Sequence, residues 1–237
     1  MPIHAVIFDW GGTLTAHADV DLLDLWLAAA SRLAPDNAPA VARGLLAVED
    51  RVWERTSTTQ ESGTLDDIIA LAAQELGLDL AEAVRQEAAS HHLEAWSTHL
   101  NHDPDAAGVL RALRDRGIRT GLLSNTHWPR RFHEELLARD GLVDLLDARL
   151  YTCELSHMKP HPSVFHAALE AVSNGDRIPP ADAVFVGDRP QDDIAGAKGV
   201  GMRAVLRQND AVPAGPVQPD ATISSLPALL ELVDRWR

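Results

Sequence analysis

Residues 5–15 read Ala-Val-Ile-Phe-Asp-Trp-Gly-Gly-Thr-Leu-Thr. Four apolar residues end in a carboxylate, Asp9, and a glycine pair then opens a turn closed by Thr13. An apolar run followed by Gly-Gly predicts a buried strand feeding a loop. In an open α/β sheet ligands sit outside the carboxyl ends of the strands, so an acid there is placed to attack an electrophile or hold a metal. The plain alternative is a turn acid after an ordinary first strand. Three further segments bear on the choice. Segment 118–126, Ile-Arg-Thr-Gly-Leu-Leu-Ser-Asn-Thr, predicts a second strand ending in Ser124 and Asn125. Segment 157–162, His-Met-Lys-Pro-His-Pro, sets Lys159, one of only two lysines in the chain, before a proline and a new helix. Segment 183–193, Ala-Val-Phe-Val-Gly-Asp-Arg-Pro-Gln-Asp-Asp, predicts a third apolar strand running into Asp188, Asp192 and Asp193.

Taken in that order, the four segments resemble the haloacid dehalogenase-like hydrolase superfamily, in its phosphatase form with a helical cap. The resemblance runs from residue 5 to residue 193. It implies phosphoryl transfer, which needs a nucleophile, charge neutralisation on the phosphoryl oxygens and a way for the leaving group to depart. Asp9 matches the nucleophile that forms an aspartyl-phosphate, Ser124 the hydroxyl on a phosphoryl oxygen, and Lys159 the cation that screens the phosphoryl group from Asp9. Trp10, Gly12 and Asn125 join Ser124 and Lys159 as implied substrate contacts, with Trp10 reading equally as a buried structural side chain. The implied cofactor is Mg2+, held by Asp9, Asp188 and the backbone carbonyl of Gly11, an oxygen set that suits this ion. Asp193, with Asp192 beside it, is the supporting acid that orients waters or Lys159. Both also read as acids favoured at a helix N-terminus, and Ser124 also reads as a turn cap.

The sequence departs from the pattern at Gly11, where phosphatases of the superfamily carry the aspartate that protonates the leaving group. General acid–base catalysis contributes typically ~10²–10⁴ in rate, which corresponds to roughly 3–5 kcal/mol of barrier. One reading is a phosphatase restricted to good leaving groups, or one in which His17, His91 or His92 stands in as donor. A second is other chemistry on Asp9. Phosphonoacetaldehyde hydrolysis would need a lysine from the cap, and Lys159 and Lys198 both fall outside it. Dehalogenase chemistry is opposed by Asp188, although Arg43, Arg51 or Arg55 offers a carboxylate partner. A third reading is a binding or regulatory protein without turnover.

The elements that must position these residues follow from periodicity and turn chemistry. Helical patterns over 21–33, 39–55, 65–76 and 80–100 interrupt the alternation of strand and helix. Thr64-Leu65-Asp66-Asp67 predicts an N-cap with acids in its first turn. From Pro104 the alternation resumes, with helices at 105–116, 130–138, 162–173, 192–199 and 226–236, and strands near 148–151, 203–206 and 221–223. The expected fold is α/β: a doubly wound parallel sheet from residues 1–15 and 104–237, with residues 16–103 forming an inserted helical cap domain. The stretch 211–219 predicts an exposed loop. His91, His92, His99 and His102 read as surface or hinge residues. Trp26, Trp53 and Trp96 read as cap core or a hydrophobic substrate wall, and Arg130 and Arg131 as solvated.

A net charge of −14 with no basic run disfavours nucleic acid and anionic membranes, so an anionic metabolite must be neutralised locally. One cysteine, Cys153, excludes an internal disulfide and fits a reducing compartment. With no secretory pattern and no spanning run, the expected location is the cytoplasm.

Overall fold

The computed structural model describes residues 2–16 and 18–236, so the candidate donor His17 lies outside the described residues. Six parallel strands form one sheet in the order β3-β2-β1-β4-β5-β6. They are β1 (Ala5–Phe8), β2 (Arg119–Ser124), β3 (Ala148–Tyr151), β4 (Ala183–Gly187), β5 (Arg203–Arg207) and β6 (Ala221–Ile223). The chain leaves β1 toward β2 and β3, then crosses to β4 and continues to β6 on the other side. The strand order therefore reverses between β1 and β4, the point at which such sheets bind ligands.

Every residue of β1 and of β4 is buried. Their continuous apolar runs reflect a sheet covered on both faces, and the pleat sorts the side chains into two cores. Val6, Phe8, Leu122, Val184 and Val186 face one core, and Ala5, Ile7, Leu123, Ala183 and Phe185 face the other. The first is covered by α5 (Ala106–Asp115), α6 (Arg130–Arg139) and α9 (Ala228–Trp236), and the second by α7 (Pro162–Ser173) and the short α8 (Gly196–Gly199). Phe8 pairs with Leu122 and Val186, which sets Asp9 at the carboxyl edge beside the ends of β2 and β4. Successive residues of a strand point to opposite faces, so Asp9 and Trp10 diverge into the two layers.

Between Thr15 and His102, which form an isolated antiparallel bridge, lie α1 (Leu22–Leu33), α2 (Ala38–Thr59), α3 (Leu65–Glu75) and α4 (Glu82–Ser97). Thr64 caps α3 as expected, in a reciprocal capping box: its hydroxyl accepts from the Asp67 N–H, and the Asp67 carboxylate accepts from the Thr64 N–H. Helix α2 runs past the expected end at Arg55 to Thr59, although the hydroxyls of Thr56, Ser57 and Thr58 turn back onto carbonyls of the preceding turn. It stops where Gln60 adopts φ 59°. The helix expected near 192–199 is instead a wide turn over Pro190–Ala195 followed by α8, and this turn brings Asp193 inward. The stretch 211–219 carries neither helix nor strand. Among the described residues no helix is long and apolar enough to cross a membrane.

The two connections between the sheet and the four helices are held by Arg207 at the end of β5. Its guanidinium donates to the Thr13 carbonyl and, at 2.6 Å, to Asp103 Oδ2. Both side chains of the Arg207–Asp103 pair are only 14% exposed. Removing one partner of a mostly desolvated pair strands the other charge. Arg207→Met is therefore expected to lower stability by about 2–4 kcal/mol in urea unfolding, whereas the exposed pair Arg131–Glu135 should be nearly silent to Arg131→Met in the same assay.

Candidate functional site

The strand ends bring Asp9, Ser124, Lys159, Asp188 and Asp193 to one edge of the sheet, all of them buried. Lys159 Nζ donates to Asp9 Oδ1 at 2.6 Å and to Asp193 Oδ1 at 2.7 Å. Asp193 Oδ2 accepts from the Arg189 N–H at 2.9 Å, so both of its oxygens are engaged. Asp188 Oδ2 accepts from Asn209 Nδ2 at 2.6 Å. Its second oxygen, Oδ1, is buried without a hydrogen-bond partner. One oxygen from each of Asp9, Asp188 and Asp193 lies within 4.8 Å of the others.

One ammonium thus faces three carboxylates, and the proton affinities follow from that imbalance. Burial, countered by Lys159 but reinforced by Asp193 and Asp188, pushes the Asp9 carboxyl up to about 7. Asp188 is raised by burial and by Asp193, with Asn209 working the other way. Burial and then Asp193 raise half-buried Asp192. Burial works against the Lys159 ammonium, yet Asp193 and Asp9 outweigh it and hold it above the ordinary lysine range. A divalent, oxygen-seeking cation would relieve the excess charge and give Asp188 Oδ1 a partner, so this donor set fits such an ion.

The turn after β1 is shaped for this crowding. Gly12 has φ +75°, and a Cβ there would fall 2.3 Å from Asp188 Oδ2, so only glycine lets the backbone approach the acid. Gly11 differs: it is exposed, has φ −74°, and a Cβ would meet nothing within 4 Å.

Several expected site residues serve other ends. The Asn125 amide, expected against substrate, faces the Lys159 main chain, accepting from its N–H at 2.8 Å and donating to its carbonyl at 3.0 Å. Trp10 is buried on the opposite face from Asp9, because the pleat turns it into the other core. Its indole N–H donates to His102 Nε2 at 3.0 Å, and His102 Nδ1 in turn donates to Asp140 at 2.6 Å. Neither His91 nor His92 reaches Asp9. His91 takes a hydrogen bond from Arg32, and His92 is buried against Trp26 with ring centroids 3.8 Å apart. Of the histidines expected at the surface or hinge, His92 is buried against Trp26, and His102 sits at the bridge to Thr15 where the helical segment joins the sheet. Arg130 is not freely solvated, since it pairs with Glu154 and Glu134. Trp53 is 37% exposed rather than core, and it lies over His127 with centroids 4.1 Å apart. Sequence reasoning missed Asn209, which sits in a loop with no motif around it. It also missed His127, whose only signal was its place three residues after Ser124.

A sequence profile of the haloacid dehalogenase-like hydrolases matches residues 3–201. The chain belongs to that family. Among curated relatives of this haloacid dehalogenase-like hydrolase, glyceraldehyde 3-phosphate phosphatase of Pyrococcus furiosus is 32% identical over 142 residues, 58% of this chain and 57% of that protein. Phosphoglycolate phosphatase of Rhodospirillum rubrum is 30% identical over 210 residues, 85% of this chain and 78% of that protein. The chain spans somewhat over half the length of the first of these. Two solved structures are similar over nearly their whole length. They are a 2-haloacid dehalogenase from Pseudomonas syringae, with TM-score 0.72, 26% identity and coverage of 99% and 100%, and a phosphatase of the same superfamily from Thermococcus onnurineus, with TM-score 0.67, 26% identity and 98% of each chain. Fold likeness thus reaches two chemistries, and the side chains must separate them.

The charge imbalance makes opposite predictions for two neighbours. Without divalent cation, Lys159→Met leaves the buried carboxylates unpaired and is expected to cost about 3–5 kcal/mol. Asp188→Asn removes part of the excess and should raise the unfolding midpoint in chelator. Thermal unfolding of both variants in EDTA checks this, and a drop for Asp188→Asn would contradict it.

Proposed function

We propose that this haloacid dehalogenase-like hydrolase is a magnesium-dependent phosphatase that acts on a small phosphorylated metabolite through an aspartyl-phosphate on Asp9. The observation that carries this reading is the unpartnered, buried Oδ1 of Asp188, in a cluster of three acids of which Lys159 pairs only with Asp9 and Asp193. Asp9, Asp188 and the main-chain carbonyl of Gly11 would hold the magnesium ion, which when bound supplies charge neutralisation at the phosphoryl oxygens.

The chain's own groups do the rest. Ser124 hydrogen-bonds one phosphoryl oxygen. Lys159 neutralises another and screens it from Asp9, with Asp193 fixing its ammonium and Asn125 its main chain. An Asp9 oxygen bonds to phosphorus as the ester oxygen leaves with its electron pair. Water then hydrolyses the acyl phosphate, restoring the carboxylate and releasing inorganic phosphate. The net charge of −14 gives the metabolite no long-range attraction, so its binding rests on these local cations.

Residues 16–103 act as the cap. Support comes from the turn between α2 and α3, which meets the sheet's loops through main-chain bonds. Met158 N–H donates to the Gln60 carbonyl at 2.9 Å, Ser62 N–H to that of Ser156 at 3.2 Å, and Leu65 N–H to that of His127 at 2.8 Å. Covering the strand ends in this way excludes water from the reacting groups.

Gly11 leaves the departing oxygen without a proton donor at that position, which favours aryl or acyl phosphates whose leaving groups need little protonation. The same bare position favours a second reading, a binding protein on this scaffold that no longer turns over. Assay with magnesium separates the two. The phosphatase should hydrolyse p-nitrophenyl phosphate, and Asp9→Asn should abolish that turnover. Gly11→Asp, which the open space accommodates, is expected to raise turnover of alkyl phosphates by up to ~10² or more while changing aryl esters little. No turnover by the native protein would favour the binding protein.

A further inference from the structure

The Asp188 carboxylate is held by a residue outside the motif segments. Asn209 lies two residues beyond the end of β5 and is half-buried. Its Nδ2 donates to Asp188 Oδ2 at 2.6 Å. Its Oδ1 accepts from the Ala211 N–H at 3.1 Å, and its carbonyl accepts from the Val212 N–H at 3.0 Å. The side chain thus closes a turn in its own loop, which asparagine and aspartate do equally well. Because a main-chain N–H takes the oxygen end of the amide, the nitrogen end is the one left for the acid. Aspartate would close the same turn but set a second carboxylate against the first.

The contact is packed as well as bonded. A Cβ on Gly12 would fall 2.3 Å from Asp188 Oδ2 and 2.9 Å from Asn209 Nδ2, so the turn after β1 lies directly against both groups. Among the described residues Asn209 is the one hydrogen-bond partner of the Asp188 side chain, and no cation pairs with that acid. The difference decides the charge. A lysine or arginine in this place would neutralise Asp188, whereas a neutral amide fixes one oxygen and leaves the negative charge standing. The amide also favours the ionised acid, against the burial and the Asp193 charge that oppose it.

We propose that Asn209 is a positioning residue for the divalent cation: it orients Asp188 through Oδ2 and leaves that acid's charge for the ion to compensate. The role rests on the reading of Asp9, Asp188 and the Gly11 carbonyl as the magnesium site. Groups that hold a metal ligand from behind typically change metal affinity about 10–100-fold when they are removed.

The test follows thermal unfolding of the full chain in EDTA and across a magnesium titration, with no substrate present. The rise in midpoint on adding magnesium reports binding to the folded protein, and Asp188→Asn gives the background response of the remaining surface. Asn209→Ala should need about 10–100-fold more magnesium than the native protein for the same rise. Asn209→Asp keeps the turn of the loop and adds a fourth carboxylate to the three. It should therefore unfold at a lower temperature in EDTA and gain more from magnesium than the native chain gains, and it keeps the test decisive if Asn209→Ala does not fold. An asparagine that served only its own loop would leave Asn209→Asp like the native protein. That result, or an unchanged magnesium requirement in Asn209→Ala, would overturn the role of Asn209 and leave the metal site standing. A native midpoint that rises no more than that of Asp188→Asn would overturn the metal site and this role together. Turnover is not read, so the outcome does not depend on whether Asp9 is a working nucleophile.

Discussion

The structure depends on one buried ammonium shared by two carboxylates. Lys159 is held between Asp9 and Asp193, with its side chain 1% exposed. A charge so deeply desolvated persists only when paired and hydrogen-bonded, and its environment supplies both. The third acid, Asp188, has an asparagine rather than a cation for company. The result is a region fully satisfied around Lys159 and deliberately unbalanced toward Asp188. That asymmetry ties stability to function, because the charge left over is what a metal and a phosphoryl group would compensate.

The fold serves this arrangement through ordinary constraints. Parallel pairing brings β1 beside both β2 and β4, so acids from two strands and a hydroxyl from a third meet without long reaches. The pleat sends Asp9 toward the α7 and α8 side and Trp10 toward the aromatic group of His102, Trp128 and His133. Trp10, the residue after Asp9, is tied to His102, which lies where the helical segment returns to the sheet. The geometry of the acid and the attachment of the four helices therefore share one pair of consecutive residues.

Much of this was legible in the sequence because it is encoded locally. Apolar runs ending in Asp9, Ser124 and Gly187-Asp188 mark strand ends, and the capping box at Thr64 marks a helix start. Positions whose role depends on a distant partner were not legible. Asn209 meets Asp188 across 21 residues of sequence, Asn125 turns to a main chain 34 residues away, and Arg207 ties Thr13 to Asp103. Helix bounds also differ: α2 continues to Thr59, and a wide turn over Pro190–Ala195 stands where a helix was expected and holds Asp193 buried. The opposite directions of Asp9 and Trp10 were within reach, since a period of two was already implied by calling the segment a strand.

On the proposed reading, Asp9 accepts a phosphoryl group in a magnesium-filled site. Trifluoroberyllate, which bonds to a carboxylate oxygen as a phosphoryl mimic, tests it without knowledge of the substrate. Fluorine NMR of the protein with beryllium, fluoride and magnesium should show protein-bound resonances that vanish in EDTA and in Asp9→Asn. Bound resonances that persist without magnesium, or that survive Asp9→Asn, would contradict the account.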